Sequence, residues 1–226
     1  MHLLTACPNH NRKFITTEPL SKSGEESEQR VWDRIREVFA DRECLAYWRY
    51  PIFSKVGKSR KEPDILIADS ELGLIVIEIK AVTIDQIVAI AGHRWQFQHY
   101  YTVSSNPYEQ AENQLFALLG YCDREPSLRR KVSGRALVCL PLITEDQWYD
   151  SGFYQLPSCP PIIFQNHLRV SASICGSLIK QLQQTSPIIK GSPLTEKQWK
   201  LLQAVISGTP VFRTRVGARM PKPLQE

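Results

Sequence analysis

The sequence predicts an α/β fold in which helices flank a central mixed sheet. Three observations carry that prediction. An apolar stripe recurs at helical spacing through residues 24–40, two strand-like runs rich in β-branched residues are joined by a short turn across residues 63–81, and a capped helical segment at 106–122 leads into a further apolar run.

In residues 24–40, Val31, Trp32, Ile35, Val38 and Phe39 fall on one helical face, and Ser23 is available as the N-cap. Residues 44–53, rich in aromatics, read as a first strand. The basic connector SKVGKSRKE then leads into PDILIAD, the turn SELG and the run LIVIEIKA, a β-hairpin whose second arm is buried. The stretch between Lys80 and Asn106 reads as a loop, longer than idle connections usually are and therefore expected to be functional. Asn106 can cap the second helix, Pro107 suits its first turn, and Glu109 stands where a capping box wants an acid. GRALVCL (134–140) is the fourth strand. Beyond it come a Pro-rich segment, a short PIIF strand and helices expected at 168–182 and 195–206. The expected organisation is a polar leader (1–23), a core (24–143), C-terminal additions packing on that core (144–208) and a basic tail (209–226).

Composition bounds the function classes. At 226 residues the chain can bury a core without disulfides or structural metal, and 42% hydrophobic with 23% charged residues excludes a fibrous or fully disordered protein. The longest apolar stretch is interrupted by Gly73 and Glu78 and is too short to span a bilayer. Residues 1–14 lack a signal-peptide core, so a cytoplasmic location is expected. Six cysteines occur without any C-x-x-C pair, which argues against a zinc ribbon or a redox motif. A formal charge of +5 mildly favours a polyanionic partner.

Chemistry concentrates on the hairpin. Glu78 breaks an apolar run, and strand alternation makes Glu78 and Lys80 project together while Ile77 and Ile79 enter the core. Burying such charges costs several kcal/mol unless something compensates, and a divalent cation is a natural compensator. If Glu71, Leu72 and Gly73 form the turn, with Gly73 left-handed, Ser70 pairs with Leu74 and Asp64 lies opposite Lys80, diagonal to Glu78, on the same face. A two-residue turn would instead send Asp64 to the other face unless a bulge corrected it. On the first helix Glu28 falls near the centre of the apolar stripe, Glu25 at its edge, and Glu26 away from it. Asp64, Glu78 and Glu28, with Glu25 as the alternative, would supply hard oxygen ligands suited to Mg²⁺ or Mn²⁺. Such an ion would activate a water and neutralise charge on a phosphoryl group, with Lys80 positioning the nucleophile or stabilising that charge. The chemistry implied is phosphodiester hydrolysis.

The pattern PD, 13 residues, EIK, in the order helix, strand, strand, strand, helix, strand, resembles the PD-(D/E)xK nuclease superfamily with its restriction-endonuclease-like fold. More narrowly, SGEESEQRVWDRI, IVIEIKA, Trp95 and NPYEQAENQLFALL resemble the nuclease-related domain NERD. That resemblance assigns catalytic positions to Glu28 or Glu25, Asp64, Glu78 and Lys80, adds Gln110 on the second helix, and places Gln114 one turn further on. Pro63 stands where family members usually carry an acid, closer to the general superfamily pattern. NERD domains are often joined to helicases, and SPLTEKQWKLLQAVISG resembles the leader before a helicase nucleotide-binding motif. No G-x-x-x-x-G-K-[ST] follows, so a shortened or fragmentary relative is expected, with a helicase as a partner in trans.

The expected function is a divalent-metal-dependent nuclease acting on DNA, with Lys55, Lys58, Arg60 and Lys61 on the phosphate backbone, Trp95 as a base-stacking candidate and Gln114 as a further nucleic-acid contact. Arg129, Arg130 and Lys131 form a second basic cluster. The alternative is a non-catalytic module that binds nucleic acid or a partner protein. Each residue also has a plain structural reading: a solvated ion pair for the hairpin charges, first-turn acids complementing the helix dipole for Glu25 and Glu28, a packing anchor for Trp95.

Overall fold

A computed structural model describes residues 13–17, 25–50, 62–92, 94–98, 106–157, 159–169 and 177–208. Its strands are β1 (Phe14–Thr16), β2 (Cys44–Trp48), β3 (Ile65–Asp69), β4 (Gly73–Ile79), β5 (Ile87–Ala91), β6 (Arg94–Phe97), β7 (Gly134–Leu140) and β8 (Ile162–Phe164). Six of them form one mixed sheet in the order β1-β2-β3-β4-β7-β8, while β5 and β6 pair separately. β3 pairs antiparallel with β2 on one side and β4 on the other, whereas β4, β7 and β8 run parallel.

Helices cover both faces, which is why β3 and β4 read as continuous apolar runs. Ile65, Ile67, Ile75 and Ile77 pack with Val31, Trp32, Ile35 and Phe39 around α1 (Glu25–Val38), joined by Leu178 and Leu182 of α4 (Ser177–Gln184). The alternate residues Leu66, Ala68, Leu74 and Val76 pack on Ala111, Leu115 and Leu118 of α2 (Pro107–Cys122) and on Trp199, Leu202 and Ile206 of α5 (Glu196–Ile206). Each such Ile or Leu withdrawn from water contributes about 1.5–3 kcal/mol. α2 begins as its sequence requires: the Asn106 side chain accepts the N–H groups of Tyr108 and Glu109, both at 3.1 Å.

The hairpin between β3 and β4 differs from expectation in register. Asp69 pairs with Gly73 and Ile65 with Ile77, so Ser70, Glu71 and Leu72 form the connection, one residue earlier than predicted. Asp69 sets this register. Its Oδ1 accepts the N–H groups of Glu71 (3.0 Å) and Leu72 (2.9 Å), and both carboxylate oxygens take a fork from Arg42 at 2.8 Å. Gly73 is left-handed (φ 81°), as predicted, and a Cβ there would lie 2.3 Å from the Ser133 carbonyl oxygen.

Other elements depart from the sequence reading. The leader contributes β1, whose Phe14 packs edge-on against Trp32, with ring centroids 6.1 Å apart. The first strand ends at Trp48 rather than at residue 53, because Arg49 adopts φ 58°. The segment after Lys80 is no plain loop: a 3-10 turn (Ile84–Gln86) precedes the β5–β6 hairpin, whose Ile87, Ile90 and Trp95 share a core with Trp148 and Phe164. Trp148 belongs to α3 (Glu145–Asp150), a helix the reading missed although its T-x-x-Q cap is written in Thr144 and Gln147. Of the helix expected at 168–182, Leu168 ends a 3-10 turn (Gln165–Leu168), residues 177–182 belong to α4, and residues 170–176 lie outside the described residues. No helix among the described residues is long and apolar enough to cross a membrane.

Candidate active site

The C-terminal end of β4 and the chain entering β3 bring two carboxylates together. Continuing the β3–β4 register past Ile65–Ile77 sets Asp64 opposite Glu78, where it was expected opposite Lys80. The displacement is two residues, so the face is unchanged and Asp64, Glu78 and Lys80 still share it. That face is the one α2 covers, which buries Glu78 to 1% exposure.

Each group is held by a specific contact. Asp64 Oδ2 accepts the Ile79 N–H at 2.7 Å. Lys80 Nζ donates to Glu78 Oε1 at 2.7 Å, while Glu78 Oε2 is buried without a hydrogen-bond partner. Burial and the neighbouring Glu78 charge push the Asp64 carboxyl up to about 7, against the opposing pull of the Ile79 N–H and Lys80. Burial likewise raises Glu78, and the Lys80 ammonium and Gln114 amide pull it back. Desolvation thus disfavours the ionised form of both acids, and the one ammonium that offsets it is bonded to Glu78.

Glu28 stands near enough for its charge to raise both acids, but its direct contact is with Arg49, whose Nη2 lies 3.1 Å from Oε2. The side chain of Glu25 lies outside the described residues, as do Lys55, Lys58, Arg60 and Lys61. Gln110 sits half-buried in the first turns of α2.

Two expected nucleic-acid contacts are corrected. Trp95 is 2% exposed and stacked on Trp148, centroids 5.8 Å apart, so its ring serves the core of the β5–β6 hairpin. Gln114 is fully buried, donates to the Glu62 carbonyl at 3.1 Å and favours the ionised form of Glu78, a positioning role. Arg129, Arg130 and Lys131 precede Gly134, which pairs with Leu74, whereas Glu78 pairs with Val138. The second basic cluster therefore lies toward the opposite end of the sheet, with roughly 13 Å of strand between.

The sequence reading missed Arg49, the Gln114 amide in its positioning role and the Ile79 N–H as site components. Backbone donors leave no trace in residue type. Arg49 carries no signal because nothing local marks a left-handed arginine.

The donor chemistry fits a hard divalent ion. Asp64 and the unpartnered Glu78 Oε2 offer two carboxylates, and Mg²⁺ commonly needs one or two plus waters and substrate oxygens. Among the described residues no group of three or more His, Cys, Asp or Glu is placed to hold an ion. Glu28, the expected third ligand, contacts Arg49 at 3.1 Å while its charge acts on both acids.

No curated protein and no solved structure matches this chain. Residues 23–141, just over half of it, match the nuclease-related domain, and that span contains α1, the hairpin with Asp64, Glu78 and Lys80, and α2 with Gln114. A helix, an antiparallel hairpin ending in paired acids and a second helix buttressing them are thus the parts of a single inherited unit: the chain belongs to the NERD, or nuclease-related domain, family.

Proposed function

We propose that this protein is a divalent-metal-dependent nuclease that hydrolyses phosphodiester bonds in DNA, built on a restriction-endonuclease-like core of α1, β2–β4, α2 and β7. The observation that carries this reading is the buried Glu78 paired across the hairpin with the half-buried Asp64, with Lys80 bonded to Glu78 at 2.7 Å and Glu78 Oε2 without a partner. Asp64 and Glu78 would hold Mg²⁺ or Mn²⁺, which when bound supplies Lewis-acid stabilisation of phosphoryl charge and a water of lowered pKa.

The chain's own residues do the rest. The Ile79 N–H fixes the Asp64 carboxyl, and Gln114 braces the chain at Glu62 while opposing the upward pull of burial on Glu78. Lys80, part-exposed at the rim, presents an ammonium that orients the attacking water and stabilises charge developing on the phosphoryl oxygens. A helicase acting in trans is the partner this reading adds.

The competing reading is a non-catalytic module that binds nucleic acid or a protein, favoured by the absence of a three-ligand group among the described residues. Cleavage of circular and linear DNA with Mn²⁺, Mg²⁺ or EDTA separates the two. A nuclease cleaves only with the divalent ion, and Glu78→Gln and Lys80→Ala each reduce the rate at least about a hundredfold with the circular-dichroism spectrum unchanged. Wild-type protein that cuts nothing under either ion leaves the binding module as the function.

A further inference from the structure

Arg49 combines three features that a routine strand end does not need. Its backbone is left-handed at φ 58°, a conformation that suits glycine and penalises a side chain. Its N–H donates to the Asp64 carbonyl oxygen at 2.9 Å, which ties its main chain to the residue bearing one of the two paired acids. Its carbonyl accepts the Thr17 hydroxyl, anchoring the same turn to the chain just after β1.

The turn changes where the side chain goes. Along β2, Leu45 and Tyr47 face the α2 layer and Ala46 and Trp48 face the α1 layer, so plain alternation would send position 49 to the α2 layer. Instead the guanidinium reaches Glu28 on α1, at 3.1 Å through Nη2, with Arg49 27% and Glu28 20% exposed. The strained turn therefore sends a cation to Glu28, whose own charge is near enough to raise both Asp64 and Glu78.

A phosphodiester approaching the paired acids meets carboxylates at Asp64, Glu78 and Glu28, and Lys80 is already bonded to Glu78 at 2.7 Å. A part-exposed ion pair such as Arg49–Glu28 is weak in water and readily exchanged, whereas a guanidinium matches two phosphate oxygens at once. We propose that Arg49 is a phosphate-contacting residue of this site, parked on Glu28 in the free protein and transferred to a non-bridging oxygen of the nucleic acid backbone. This rests on the nuclease reading for its substrate class, but binding alone tests it.

The test is fluorescence anisotropy of a short labelled DNA duplex with the full chain in EDTA, across a salt series, alongside thermal melting and Mn²⁺-dependent cleavage. Arg49→Gly is the informative variant, since glycine accepts the left-handed backbone and the fold should melt at or above the wild-type temperature. It should bind DNA roughly tenfold more weakly and lower the slope of log K against log salt by about 0.9, the signature of one lost phosphate contact. Glu28→Gln, which removes a competing carboxylate, should bind more tightly, and the double variant should lose that gain. Wild-type affinity and slope in Arg49→Gly would overturn the proposal, as would wild-type protein showing no salt-dependent binding. If Arg49→Gly loses the contact while wild-type protein cleaves nothing, the nuclease reading fails and the phosphate contact stands; a cleaving wild type with an unaltered Arg49→Gly gives the reverse.

Discussion

Asp64 sits in an environment that ties stability to pH. Its carboxyl, ordinarily near 3.8, is raised to about 7 by burial and by Glu78. A raised acid binds its proton more tightly in the folded state, so ionising it costs folding free energy: stability is highest below the unfolded value, declines as pH rises from about 4 to about 7, and is flat above. Asp64→Asn removes that cost. In EDTA the variant should match wild type near pH 4 and exceed it by a few kcal/mol at pH 7.5, checked by urea unfolding at both pH values. A variant that is less stable than wild type at pH 7.5 would show that the acid is compensated in solution.

The β3–β4 hairpin is the element that sets the site, because its register decides which side chain faces Glu78. Gly73 and Asp69 fix that register at the far end, through a left-handed turn, a Cβ-free approach to Ser133 and the fork from Arg42. Gly73→Ala imposes strain on both counts and should destabilise by roughly 2–4 kcal/mol, read as a lower denaturant midpoint. Its effect on Mn²⁺ affinity should be small unless the register slips, since the turn is five residues of strand, roughly 17 Å, from Glu78. The β5–β6 hairpin follows a different logic. It holds its place through Trp95 on Trp148 and pairs with no strand of the main sheet.

For the molecule as a whole, two helical layers clamp the sheet and keep Glu78 out of water, and on the proposed function the acids held there would bind a divalent cation. Ligand linkage then makes a whole-molecule prediction. Mn²⁺ at a hundredfold above its dissociation constant should stabilise the fold by about 2.7 kcal/mol, visible as a higher melting temperature at pH 7.5. Glu78→Gln should abolish most of that increment. Equal melting with and without the ion would remove the metal from the account.

Much of this was legible in the residue order. The alternation in ILIAD and LIVIEI, the helical stripe from Val31 to Phe39 and the cap at Asn106 are local patterns that fix an element's type wherever it docks, and they placed α1, β3, β4, α2 and β7. The likeness of Asp64, Glu78 and Lys80 to a family motif was equally local, and their shared face survived a two-residue register error because strand side chains repeat every second residue. Three features lay beyond that reach. The register follows from the Asp69 carboxylate meeting Arg42, 27 positions earlier; the burial of Trp95 follows from Trp148, far along the chain; and the partner of Glu28 follows from a backbone angle at Arg49. The sequence by itself determined which groups could do chemistry, since periodicity and side-chain type act over a few residues. Only the tertiary structure decided which of them meet, since a contact between distant positions is set by how whole layers pack.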